Sequence, residues 1–187
     1  LGWTALDGVA PGLQILGPAV STEIPVRIEY RGADPGGAGL RRITLWVTTD
    51  KGRTWSSWGN DEDLKSPLLY TGFDGVYGLK LVCEDRMGNV NPPPTPGVLP
   101  PFTLTLDRTA PEVTLISPKA GALLGGVPVE IRWTAKDNIG MPLNGISLYY
   151  SGDGGKTWKD IEKGLTNDGL HVWTPPRVAG ADYQVKV

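Results

Sequence analysis

Cysteine and histidine are almost missing from this chain of 187 residues, with one of each. The single cysteine, Cys83, excludes an internal disulfide and any cysteine metal cluster. His171 alone cannot build a transition-metal site of ordinary composition. Long apolar runs are absent as well, so no membrane-spanning helix or signal-peptide core is predicted and no membrane insertion is expected. Neither sign of charge dominates. Lys plus Arg is 18 and Asp plus Glu is 20, a net charge of −2, and no basic stripe exists that would neutralise several phosphates, which argues against nucleic acid as a partner. No serine sits in a nucleophile elbow, no glycine loop is built to cradle phosphate, and no carboxylates are paired as an acid and base couple. The expectation is a protein that is not an enzyme.

What the chain does have is glycine, 26 residues, and proline, 17. Spaced every few residues, they break helices and mark turns between short strands, which predicts an all-β class. It also has a repeat. Laying Pro25 to Trp55 over Pro128 to Trp158 gives twelve identities in thirty-one positions with no gap. An offset of 103 residues fits whole domains and not the shorter units of solenoids and propellers. Each copy is just large enough to bury a core of its own. The predicted domains are residues 1–107 and 108–187.

Alternation of apolar and polar residues is clearest at Val26, Ile28 and Tyr30, and again at Val129, Ile131 and Trp133, the period of a half-buried strand. Each run follows an apolar strand just after a proline, Leu13 to Leu16 and Val113 to Ile116. A third strand holds Ile43, Leu45 and Val47 in one copy and Ile146, Leu148 and Tyr150 in the other, and a turn then leads to Trp55 or Trp158. Next come Tyr77, Leu79, Leu81 and Cys83, matched by Tyr183, Val185 and Val187. In the first copy a proline-laden segment and a last strand, Phe102 to Leu106, follow. The second copy is expected to lack this last strand, so that a longer parent protein or another molecule covers the edge. The start at Leu1 likewise reads as that of a processed or excised piece.

Tyr77 and Tyr183 each stand two residues after a small residue, Gly75 or Ala181. This resembles the tyrosine corner of immunoglobulin-like and fibronectin type III sandwiches, whose hydroxyl bonds back to upstream backbone. Gly75-x-Tyr77-x-Leu79, then Asp85-x-x-Gly88-Asn89 and Leu106-Asp107-Arg108-Thr109-Ala110-Pro111, resembles the end and junction of bacterial immunoglobulin-like repeats of large secreted and surface proteins. Gly169 to Pro175 with Asp182-Tyr183-Gln184-Val185 is similar to a Ser/Thr-rich surface family related to yeast cell-wall assembly proteins. The fold these imply is two tandem immunoglobulin-like β-sandwiches, and the compartment is extracellular, cell-surface or periplasmic. The two turns, Thr48 to Trp55 and Ser151 to Trp158, resemble the Asp-box of sialidases and other β-proteins. Asp50 and Asp153 would accept bonds from the turn's own amides, Gly52 and Gly155 would take positive φ, and Trp55 and Trp158 would pack beneath the hairpins with core duties, as Trp133 would on its strand. Sialidases add an arginine cluster and a catalytic tyrosine that find no place here.

Few residues stand out as candidate sites. Trp46 and its counterpart Tyr149 alternate with core aliphatics, so they should face outward, where a ring offers a flat surface to a pyranose. The segment from Pro92 to Pro101, or Trp3, would be the structural cover. Asp34, Asp85, Asp107 and Asp137 gather in turns and at the junction, where calcium would be the one cofactor to consider; solvated turn caps are the simpler role. Cys83 is expected to be a buried, inert thiol and His171 a surface strand residue. The function implied is a noncatalytic spacer or adhesion unit of a larger exported bacterial protein, whose partners are its other domains or a surface protein. The alternatives are a carbohydrate-binding accessory module, with polysaccharide as partner, and a calcium-stiffened adhesin stalk.

Overall fold

In the computed structural model, residues 7–119, 126–177 and 182–187 are described. Trp3 and Ala181, named above, lie outside them. The chain divides into two compact units, Leu1–Arg108 and Thr109–Val187. Among the described residues every regular element is a strand, and no helix is long and apolar enough to cross a membrane.

The first unit holds β1 (Gly12–Gly17), β2 (Val20–Ser21), β3 (Val26–Ala33), β4 (Leu40–Thr48), β5 (Ser56–Asn60), β6 (Leu68–Tyr70), β7 (Gly75–Asp85) and β8 (Phe102–Leu106). They form a three-stranded sheet, β1-β3-β6, and a five-stranded sheet, β2-β8-β7-β4-β5. The alternation in β3 works as the sequence requires. Val26, Ile28 and Tyr30 are buried while Arg27, Glu29 and Arg31 are exposed. From the other sheet Ile43, Leu45, Leu79, Leu104 and Leu106 complete one core. Each fully buried aliphatic of this kind contributes about 1.5–3 kcal/mol.

The second unit holds β9 (Glu112–Ser117), β10 (Val129–Lys136), β11 (Ile146–Ser151), β12 (Lys159–Leu165), β13 (Leu170–Trp173) and β14 (Gln184–Lys186). Its sheets are β9-β10-β13 and β12-β11-β14. The core is smaller, built on Ile131, Trp133, Ile146 and Leu148. The Trp133 indole N–H donates to Asn167 Oδ1 at 3.1 Å, so the largest core ring keeps its polar atom satisfied. On the far side of β14 no strand pairs among the described residues.

Both tyrosine corners close. Tyr77 donates its hydroxyl to the Phe73 carbonyl at 2.8 Å, and Tyr183 donates to the Pro176 carbonyl at 2.7 Å. Two sequence expectations need correction. Trp55 and Trp158 do not pack in the cores: Trp55 is half-buried, and Trp158 is 36% exposed. Each follows a turn that delivers its ring to the outer side of the sheet. His171, expected as a surface strand residue, is in a strand but half-buried. It lies opposite the buried Ile131, and directly paired residues share a face. Leu170 and Val172, on the other face of β13, are the exposed ones.

Candidate functional site

The two duplicated turns superimpose bond for bond. Thr48 Oγ1 donates to Asp50 Oδ1 at 2.7 Å and accepts from the amides of Asp50 and Gly52 at 3.3 and 2.9 Å. Ser151 Oγ donates to Asp153 Oδ1 at 2.7 Å and accepts from the amides of Asp153 and Gly155 at 3.3 and 2.8 Å. The carboxylates reach forward. Asp50 accepts from the amide and hydroxyl of Thr54 at 2.9 and 2.6 Å, and Asp153 from those of Thr157 at 2.8 and 2.7 Å. Gly52 and Gly155 have φ of 88° and 87°, a region that side-chain-bearing residues avoid. These bonds favour the charged carboxylate. The Thr54 hydroxyl and amide, with the Thr48 hydroxyl, hold Asp50 down at about 2, and Thr157 and Ser151 lower Asp153 likewise.

A second group is assembled by loops of the first unit. Carboxylate oxygens of Asp7, Asp34 and Asp85 all lie within 4.8 Å of one another. Asp107 and Asp137 are outside this group. Asp85 is fully buried, and burial pushes its carboxyl up, but the Asn89 side chain and the Asn89, Met87 and Gly88 amides outweigh that and hold it below the ordinary range. Asp34 accepts from the Gly36 and Gly39 amides at 3.3 and 2.5 Å. Asp7 accepts from the Val9 and Ala38 amides at 3.0 and 3.2 Å. An all-oxygen donor set is the chemistry calcium takes, yet each carboxylate already accepts from backbone N–H donors of these loops. Asp7 was not among the sequence candidates. Nothing in its local pattern tells it from any turn aspartate, and only the fold carries it to residues 34 and 85.

Trp46 faces out of the five-stranded sheet and is half-buried. It lines a cleft of about 360 Å³ with Arg42, Thr44, Asn60, Glu84 and Pro93. Arg42 pairs with Glu84 at 2.6 Å, and Thr44 donates to Asn60 Oδ1 at 2.8 Å. An apolar ring with a few fixed polar groups is the composition of a small-ligand cleft. Tyr149 also faces outward, with the Lys186 and Lys163 ammonium groups 5.0 and 5.7 Å from its ring centre. The same Lys186 lies 4.6 Å from the Trp158 ring centre.

Cys83 is buried and free. Its Sγ donates to the Pro11 carbonyl at 3.2 Å, and burial pushes the thiol up, the opposite of what a nucleophile needs. One polar pair was not foreseen at all. Tyr30 donates its hydroxyl to Asp61, and both are buried. Burial, with Asp63 adding to it, raises the Asp61 carboxyl. Tyr30 reads in the sequence as one more core position, so its partner thirty-one residues on leaves no local signal.

No protein-family model and no curated protein matches the chain. Among solved structures, the fibronectin(III)-like modules of CbhA from Clostridium thermocellum are similar to it. The match covers 93% of this chain and 84% of that one, at 18% sequence identity and a TM-score of 0.41.

Proposed function

We propose that the chain is a noncatalytic pair of extracellular β-sandwich modules, a spacer or adhesion and interaction unit of a larger exported bacterial protein. One observation carries this reading. The side chains with chemistry to offer are consumed in holding turns: Asp50, Asp153 and Asp85 accept bonds from their own loops, and the Cys83 thiol is bonded inside a core. A general base needs a lone pair free to reach substrate, and these are committed to the frame.

A second reading, a carbohydrate-binding accessory module, is favoured by the Trp46 cleft. There a half-buried ring stands beside the Arg42 to Glu84 pair and the Thr44 to Asn60 pair. Pull-down on a panel of insoluble polysaccharides, run with an assay for released sugars, tests both. The spacer reading expects neither retention nor release. Retention that Trp46→Ala abolishes establishes the second reading, and release of sugar overturns the noncatalytic proposal.

A further inference from the structure

Both copies carry a β-bulge at the same place, and the residue it frees differs between them. In the first unit Leu45 pairs with Gly59 and Trp46 with Ser57, so Trp58 has no partner on β4. In the second, Leu148 pairs with Glu162 and Tyr149 with Asp160, which leaves Ile161 in the same position. A bulge re-aims its extra side chain. Ile161 packs against the core of its unit. Trp58 turns the same way, its ring centre 5.1 Å from that of the buried Tyr70, but the larger ring stays 40% exposed.

The indole lines a cleft of about 370 Å³ together with Asp61, Glu62, Asp63, Pro67 and Leu69. Asp61 is 8% exposed and is fixed by the Tyr30 hydroxyl. Asp63 accepts from the Lys65 amide at 2.9 Å, and Glu62 is exposed. Among the described residues none of the three carboxylates has an ion-pair partner, no lysine or arginine lines the cleft, and no cation stands over the Trp58 ring. At the offset of 103 residues, Gly164, Leu165 and Thr166 take the places of the three acids. The strands that border the cleft are both sheet edges: β5 pairs only with β4, and β6 only with β3.

We propose that this cleft at the edge of the first sandwich takes a cationic side chain of an extended partner polypeptide, a lysine or arginine lying on Trp58 with its charged end among Asp61, Glu62 and Asp63. The proposal rests on the reading of the chain as an interaction unit, and it names the chemistry of the partner.

The chemistry matches on both sides. An indole attracts a cation to its face more strongly than any other aromatic side chain, and a long cationic side chain covers apolar surface such as Pro67 and Leu69 with its stem. Burial, with Asp63 beside it, disfavours the charge on Asp61, and a cation would restore it. A neutral sugar would leave the carboxylates as they are. A free amine would find the ring and the charges only, whereas a polypeptide can also bond to the unpaired backbone of a sheet edge while seating an alternate side chain in the cleft. The bond from Tyr30 accounts for Asp61 alone; it requires neither an exposed indole nor Glu62 and Asp63.

The test titrates the full chain with an end-blocked, otherwise uncharged extended peptide carrying a central lysine, followed by calorimetry and by the indole N–H signals in NMR. Saturable one-to-one binding is expected, with a shift of the indole signal that Trp58→Phe deletes. Trp58→Ala, and Glu62→Gln combined with Asp63→Asn, should each weaken binding about two- to fivefold, the worth of an exposed cation–π or charge contact. Trp58→Phe should recover part of what alanine loses. Trp46→Ala should leave binding unchanged, which separates this site from the glycan cleft. Equal affinity for a peptide with norleucine in place of lysine, affinity indifferent to the Trp58 and acidic variants, or no saturation at millimolar peptide overturns the proposal. Butylamine bound as tightly as the peptide overturns it in favour of a free amine. The noncatalytic reading fails on a different result, the release of sugar, so the two failures are distinct.

Discussion

Ser151→Ala removes one oxygen, and the structure says what that oxygen does. The residue is 1% exposed, donates to Asp153 Oδ1 and accepts from the Asp153 and Gly155 amides. Alanine fills nearly the same space, so the loss is of bonds and not of packing. Leaving the Gly155 amide without its acceptor costs about 1–3 kcal/mol. A unit of this size is stable by about 4–12 kcal/mol, so the variant forfeits a substantial share. At about 4–8 °C per kcal/mol for a domain of this length, its transition should fall by at least about 4 °C in differential scanning calorimetry. The acid limb should change too. Asp153 is depressed by Thr157 first and then by the Ser151 hydroxyl. A depressed carboxyl contributes stability that is present above its unfolded pKa and is lost as pH falls through the folded one. Removing the hydroxyl raises the folded pKa, so the variant should lose less stability than the parent between neutral pH and pH 2. Thr48→Ser, which keeps the equivalent hydroxyl in the first unit, should retain the parent's acid limb. A Ser151→Ala transition within 1 °C of the parent, with an unchanged acid limb, would refute the argument that this hydroxyl organises the turn.

Asp61, raised by burial and then by Asp63, behaves with the opposite sign: its charged form is disfavoured in the folded state, so stability declines as pH rises from the ordinary carboxyl value through the raised one. Asp61→Asn should flatten that decline in melts from pH 4 to pH 8. Cys83, buried and bonded to Pro11, should be silent to an aromatic disulfide reagent in the native protein and react fully in denaturant; rapid native labelling would mean that the first core opens. Because Asp7, Asp34 and Asp85 each already accept from backbone N–H donors, calcium and chelator should leave the melting temperature alike. A rise with calcium would assign the group to a metal. Leu148→Ala, truncating a fully buried side chain, should cost about 2–5 kcal/mol and lower the melting temperature of the second unit more than Ser151→Ala does.

The strand frame was legible because its signals are local. Period-two alternation in β3 and β10 states which face is buried, and a turn whose Asp, Gly and Thr bond to one another within four residues announces itself in eight letters. Trp55 and Trp158 were misjudged for a reason of the same kind. A large apolar residue after a turn reads as core by composition, while its direction depends on register irregularities such as those between Leu45 and Trp46 and between Leu148 and Tyr149. Shifting a strand by one residue turns each side chain to the other face. The candidate sites were the least legible. Asp34 and Asp85 were singled out, but Asp7 joins them only through chain reversal, and Asp61 reaches Tyr30 only through tertiary packing.

The duplication adds a comparison that a single domain would not allow. Where both copies keep a residue type, as at the two turns, the bonds are repeated to within 0.1 Å, and the shared function of those residues is to hold the hairpin. The copies diverge in the cores, where Tyr30 becomes Trp133, and on the outer face, where Trp46 becomes Tyr149, Gly78 becomes Gln184, and the lysine that bonds a proline carbonyl in one unit rests on two rings in the other. Buried positions are constrained by close packing, so a change there costs stability directly. An exposed aromatic and lysine face carries no such constraint and gains little for the fold by its exposure. The outer face is therefore where the two copies are freest to differ without loss of their folds.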